Sequence, residues 1–280
     1  MTSPACPDND GWYHLDGDIG NSAVASVQAV GVIPKLSITK IGLVTVRHVT
    51  RLAALQSVRQ LWLWCNVTRR AMRHVIRLPG LTELDVLCIR GPGSLAYFDQ
   101  ATTLRSFRCY SMSESDLICV SQCQTVEEIG AQDSELTHRA LAAMLSLPRL
   151  RTLDVEATQF DDAMAKRLAR SKTISSLDLG ATNVSGTGLR ALLKMQQLRS
   201  LDLWATKVSE DDLPLLCDLP HLEYLSLGNA DDCHPLDPKR VVSVLLKLPS
   251  LKRVWLDGIP VASEEQAALE AKIESVRITE

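Results

Sequence analysis

The 280-residue sequence has 46% apolar and 22% charged residues and a formal net charge of −3. So small a charge excludes nucleic acid or an anionic membrane as a partner recruited by bulk electrostatics. Only three Phe are present, so the core must be built from Leu, Val, Ile and Ala.

In chain order, the opening "MTSPACPDNDGW" offers neither a basic segment nor an apolar one, so no secretory signal is expected. The apolar stretch from Ala23 to Ile33 is too short to span a bilayer and is followed by Pro34 and Lys35. Residues 1–32 are expected to form an N-terminal cap, with Trp12, Tyr13 and Leu15 covering the first repeat. From Ile33 onward the pattern apolar-x-x-apolar-x-apolar recurs, with onsets at Ile33, Val58, Leu81, Leu104, Val126, Leu150, Ile174, Leu198, Leu222, Leu251 and Ile273. The steps are 25, 23, 23, 22, 24, 24, 24, 24, 29 and 22 residues, and the four consecutive steps of 24 are the strongest part. Each onset predicts a short strand, and the residues after it have apolar spacing suited to a helix, as in Leu189, Leu192 and Leu193 or Leu213 and Leu216. Pro79, Pro148, Pro220 and Pro249 stand just before the next strand and are expected to end those helices. Residues 33–272 are thus a repeat array, and 273–280 a capping strand whose Arg277 and Glu280 discourage strand addition.

The units "LRTLDVEATQF", "ISSLDLGATNV" and "LRSLDLWATKV" resemble the leucine-rich repeat family, in short bacterial-type repeats with one helix each. The resemblance covers about residues 33–280 and implies an α/β solenoid, a horseshoe with a concave parallel sheet of about 10–11 strands and convex helices. It also implies that Thr158, Thr182 and Thr206 form a ladder of hydrogen bonds between successive turns, broken where Met112, Ile89 and Ile259 replace the usual polar residue. The physical basis is burial. A strand and helix cannot hide their apolar side alone, so positions 1, 4 and 6 of each repeat point inward and positions 3, 5 and 7 point outward.

Four of the five tryptophans fall at outward positions: Trp62, Trp64, Trp204 and Trp255. Tyr110 and Tyr224 join them, which predicts two aromatic groups roughly 25 to 30 Å apart along the sheet. Between them the outward positions carry Glu83, Asp85, Glu128, Asp154, Glu156, Asp178 and Asp202, opposed only by Arg108; Asp257 lies beside Trp255. The Asp residues at position 5 have a second reading, as hydrogen-bonding partners of neighbouring side chains. Aromatic anchors suit protein interfaces, and an acidic field favours a basic partner. Gly180, at the slot where the next repeat has Trp204, is expected to leave room for a partner to reach that ring.

No catalytic or phosphate-binding motif is found, and no cofactor is implied. The eight Cys are scattered without a CxxC pair, which reads as reduced thiols in a cytoplasmic protein. Cys119 and Cys123, four apart, would share a helix face as small core residues. Asn66-Val-Thr68 and Asn183-Val-Ser185 match the glycosylation sequon by chance on this view. The long repeat from Leu222 to Leu251 carries an insertion over Asp231–Asp237 at the rim; Asp231, Asp232, Cys233, His234 and Asp237 there are an ordinary polar turn rather than a metal site. The expected function is non-catalytic recognition of a protein partner with a basic surface, immunity- or inhibitor-like toward a toxin or enzyme, without nucleic acid or membrane. The alternatives are a secreted bacterial effector or adaptor docking host or regulatory proteins, or a self-associating scaffold, which allows a homodimer.

Overall fold

The computed structural model describes residues 7–17, 20, 25, 29, 31–53, 57–229 and 236–279. Residues Asp231, Asp232, Cys233 and His234 of the rim insertion, and Glu280, lie outside them. The chain divides into two compact units, residues 1–131 with 142–149, and residues 132–141 with 150–280.

In the first unit, strands β1 (Tyr13–Asp16), β2 (Lys35–Thr39), β4 (Gln60–Thr68), β5 (Glu83–Arg90), β6 (Ser106–Cys109) and β7 (Glu128–Gly130) lie side by side in that order, and β3 (Leu43–Val44) pairs with β4. All these pairings are parallel. Helices α1 (Val46–Leu52), α2 (Arg69–Val75) and α3 (Glu114–Val120) return the chain between them, and a 3-10 helix at Ala96–Gln100 does so after β5. In the second unit β8 (Thr152–Asp154), β9 (Ser176–Asp178), β10 (Ser200–Asp202), β11 (Tyr224–Gly228), β12 (Arg253–Asp257) and β13 (Ser275–Thr279) follow in chain order. Their connections are α5 (Asp162–Leu168), α6 (Gly186–Leu192), a 3-10 helix at Leu213–Asp218, α7 (Pro238–Leu245) and α8 (Ser263–Glu270); α4 (His138–Met144) carries the boundary between the units.

Of the thirteen strands among the described residues, eleven begin at or just after the eleven onsets read from the sequence. The other two, β1 and β3, have no counterpart in the repeat pattern. The sheet starts inside the segment read as a cap: Tyr13 to Asp16 pair with Leu36 to Thr39, while Trp12 and Leu15 are buried.

The register explains the apolar pattern. Leu153, Leu177, Leu201, Leu225 and Val254 stand in one row across β8 to β12, each 2% exposed or less. Position 8 then turns the chain away from the strand in a left-handed conformation: Lys40, Ser111, Asp133, Ala157, Ala181 and Ala205 have φ of 51–58°. Such backbone costs a non-glycine residue on the order of 1 kcal/mol. The next repeat holds it in place, because the N–H groups of Ala157, Ala181 and Ala205 donate to the carbonyls of Gly180, Trp204 and Gly228 at 2.9, 2.8 and 3.1 Å.

Three expectations fail against this geometry. The threonine hydroxyls do not bridge successive turns: Thr158, Thr182 and Thr206 donate to the carbonyls of Val155, Leu179 and Leu203, three residues back in the same repeat, and backbone N–H groups make the links between turns. Helices α2, α4 and α7 end four residues before Pro79, Pro148 and Pro249. Their last turns tighten into i→i−3 bonds, as from Leu78 N to Val75 O, so the prolines sit in the loop rather than at the helix end. The segment with Leu213 and Leu216 is a 3-10 helix, whose three residues per turn place both on the buried side.

Cys119 and Cys123 do not share a helix face, since α3 stops at Val120 and Cys123 is buried in the following turn with its thiol on the Ala101 carbonyl. Thr68 and Ser185 of the sequons are N-caps, accepting from Ala71 N and Thr187 N. The described cysteines are free thiols, and burial pushes that of Cys65 up to about 11. Among the described residues no helix is long and apolar enough to cross a membrane.

Thr182 tests the internal hydroxyl bonds. Thr182→Val keeps the shape but strips the Leu179 carbonyl of its side-chain donor, and chemical denaturation should show a loss on the order of 1 kcal/mol.

Candidate functional site

In the first unit the register sets Trp62, Asp85 and Arg108 in one outward row and Gln60, Glu83, Ser106 and Glu128 in another. Trp62, Glu83, Asp85, Arg108 and Glu128 line a cleft of about 240 Å3 together with Leu84 and Ser106. Its carboxylates are partly engaged: Gln60 Nε2 donates to Glu83 at 2.7 Å, Ser106 Oγ to Glu128 at 3.1 Å, and the Arg108 guanidinium lies 3.9 Å from Glu128. Burial raises the Asp85 carboxyl above its ordinary range, with Arg108 pulling it back.

Trp62 is not a free anchor. The ring of Trp12 stacks on it with centroids 3.8 Å apart, so part of its surface is covered by the segment before the first repeat. Trp64 is the more open of the pair, 46% exposed, and Leu87 on β5 is also exposed. The strands lose register between Leu63 and Asn66, which is why Trp64 stands apart from the cleft rather than in it. Tyr110 is half-buried at the end of β6 and does not line the cleft either.

In the second unit Asp154, Asp178 and Asp202 occupy the same slot of three consecutive strands. Each carboxylate accepts from the backbone N–H two residues on: Glu156 at 3.1 Å, Gly180 at 2.9 Å and Trp204 at 2.8 Å. These bonds close the aspartates' own turns, the local part of a hydrogen-bonding role for position 5. The stacking nevertheless leaves like charges side by side. Burial, and then the Asp202 and Asp154 carboxylates, push Asp178 up to about 7; burial also raises Asp202, against the Trp204 N–H and the neighbouring Ser226 hydroxyl. That hydroxyl, fully buried, makes no well-aligned hydrogen bond. Asp154, Glu156 and Asp178 are, among the described residues, the group whose oxygens lie close enough, within 4.8 Å, to hold a metal ion. Adjacent strands bring acidic side chains that close without one, and Gln132 Nε2 already donates to Glu156 at 2.8 Å.

Beyond the acidic row the tryptophans are linked. Trp204 Nε1 donates to Asp257 Oδ2 at 2.8 Å, the Thr279 hydroxyl donates to Asp257 Oδ1, and Trp255 Nε1 donates to Thr279 Oγ1 at 3.1 Å. One carboxylate thus fixes both rings, a role that residue spacing did not reveal for Asp257 and that Thr279 shares. The expectation that Gly180 makes room beside Trp204 is overturned. Gly180 is covered by Glu156, whereas the Trp204 ring lies on Gly228, where an added Cβ would meet Trp204 Cδ1 at 2.3 Å.

The surface is less uniformly acidic than its sequence suggests. The Arg277 guanidinium stands 4.9 Å from the Trp255 ring and that of Arg253 stands 5.6 Å from Tyr224. Arg253 and Arg277 sit outward on β12 and β13, beyond the repeats whose outward residues were read as acidic.

No protein-family model and no curated protein matches the chain. Among solved structures, an internalin (inlF) from Listeria monocytogenes strain 4b F2365 is similar over 96% of this chain and 82% of its own, at 15% identity and a TM-score of 0.52. An internalin C2 from the same strain is 18% identical over 67% of this chain and 77% of its own, with a TM-score of 0.46. Internalins are leucine-rich repeat proteins, and the inlF likeness agrees with the strand order in assigning the α/β leucine-rich repeat solenoid fold.

Two outcomes are expected. Because the folded-state value of Asp178 is raised, the native state binds its proton more tightly than the unfolded chain, so stability should fall as pH rises from about 4 to about 7. Asp178→Asn should flatten that slope and gain on the order of 2 kcal/mol at pH 8, read by denaturant titration at several pH values. Gly228→Ala should displace the Trp204 ring, changing the near-ultraviolet dichroism and costing about 1 to 3 kcal/mol.

Proposed function

We propose that this chain is a non-catalytic recognition module that binds a protein partner through the outward side chains of its strands, using a basic surface of that partner. The observation that carries the reading is the fixing of Trp204 and Trp255 by the Asp257 and Thr279 network. A half-buried aromatic ring held by its own N–H has little rotamer freedom left to lose on binding, which is what an interface anchor requires. The neighbouring aspartate row supplies the sign of the partner. Burial, and then the repulsion of its two neighbouring carboxylates, raises Asp178 to about 7, and an incoming Lys or Arg side chain would relieve that repulsion.

In the first unit the cleft of Trp62, Glu83, Asp85 and Glu128 has the same character, with an aromatic wall and carboxylates for a single basic side chain. An immunity- or inhibitor-like role toward a basic toxin or enzyme fits these features, as does an exported adaptor that docks a basic protein; gene neighbourhood separates the two. Self-association is the competing reading, and the exposed Trp64 and Leu87 are its motivation.

Affinity capture followed by mass spectrometry identifies the partner, and titration of the purified pair tests the surface. Trp204→Ala and Trp255→Ala should each weaken binding by about 2 kcal/mol, roughly thirtyfold. Asp154→Asn with Asp202→Asn should slow association and reduce its salt dependence. Unchanged affinity in all of these variants would remove the reading. A dimer in light scattering that Trp64→Ala dissolves would replace it with self-association.

A further inference from the structure

A second cleft, of about 520 Å3, opens in the first unit where strands give way to helices. Consecutive repeats present Thr45-Val-Arg47 and Thr68-Arg-Arg70 there, 23 residues apart, each beginning at a helix N-cap. The next strand adds Arg90, which the register sets beside Thr68. Repetition thereby delivers arginines from three successive repeats to one place, with Val46 and Pro92 as apolar lining and no carboxylate in the wall.

The four arginines differ in state. Arg69 is the floor: its guanidinium is bound bidentately by Asp116, its Nε donates to the Gly91 carbonyl at 2.9 Å, and Tyr97 Oη donates to its carbonyl at 2.5 Å. Its charge is neutralised and its position fixed. Arg47, Arg70 and Arg90 are exposed. Arg90 donates to the neutral Asn66 Oδ1 at 3.2 Å, and none of the three has a carboxylate partner among the described residues. Three uncompensated cations around one hollow are conspicuous in a chain of net charge −3.

Guanidinium groups keep their charge at all working pH and present paired N–H donors that match phosphate oxygens. Three of them exceed what one carboxylate can satisfy, whereas two or more linked phosphates balance them. The volume is that of a small-molecule site rather than of a groove for a polymer. We propose that this cleft binds an organic polyphosphate of nucleotide size, its phosphates on Arg47, Arg70 and Arg90 and its organic part against Val46 and Pro92. The site is separate from the outward strand residues of the proposed interface and does not depend on that reading.

Isothermal titration of the full chain with ATP, with inorganic pyrophosphate and with a short glutamate peptide, all without divalent cations, tests the assignment. ATP should bind one to one, more tightly than pyrophosphate, and its affinity should fall as salt is raised from about 0.05 to 0.3 M. Arg47→Gln, Arg70→Gln and Arg90→Gln should each weaken ATP binding about tenfold, with unchanged circular dichroism because all three side chains are exposed. No saturable binding of ATP or pyrophosphate, undiminished binding by the triple variant, or tighter binding of the glutamate peptide would overturn the proposal. Equal affinity for ATP and pyrophosphate would overturn its organic half.

Discussion

The structure depends on one backbone link repeated from turn to turn: the N–H of the left-handed residue after a strand donates to the carbonyl at the end of the equivalent strand in the next repeat. That bond fixes where each chain segment leaves the sheet, and so locks the register in which leucine stands on leucine. A one-residue slip would turn every inward Leu outward. The alanines at 157, 181 and 205 accept a strained conformation because this bond and the Asp carboxylate two residues before the turn over-determine it.

The same register creates the molecule's electrostatic tension. Repeats that place Leu177 beside Leu201 also place Asp178 beside Asp202, so a residue useful once for closing a turn becomes a column of like charges at strand spacing. Burial is the larger cause of the rise at Asp178, and the carboxylate on each side of it adds to that rise. The column ends at Ser226, where a small neutral hydroxyl replaces the fourth carboxylate, and Trp255 and then Arg277 follow it in the same row.

How much of this was legible in the sequence depended on whether a feature was periodic. Eleven strands and their inward residues could be read because burial imposes the same letters at the same slots. Trp62, Trp204 and Trp255 were found as outward residues for the same reason. Their states could not be read, because each is decided by a partner from another repeat: Trp12 over Trp62, Gly228 beneath Trp204, Thr279 on Trp255. The Thr hydroxyls were misassigned because a position in the repeat does not say whether its donor turns back or reaches forward. Arg47 and Arg70 are periodic, as T-x-R one repeat apart, but they lie at helix starts, outside the strand slots on which burial imposes the repeated letters.

Chain-level neutrality conceals separated charge. In the second unit Asp178 lies between the Asp154 and Asp202 carboxylates, and in the first the cleft beside α1 and α2 is lined by arginines with no carboxylate in its wall. Arg69 with Asp116 and Arg240 with Glu210 and Asp211 show that closely paired charges are available to the same chain. Uncompensated groups on a folded surface raise the free energy of the unbound protein, and a ligand of opposite sign recovers that energy on binding. Where the scaffold itself needs a charge, as at Asp116 closing its helix and holding Arg69, the partner is supplied from within. Where it does not, the proposals above give the two signs two different ligands.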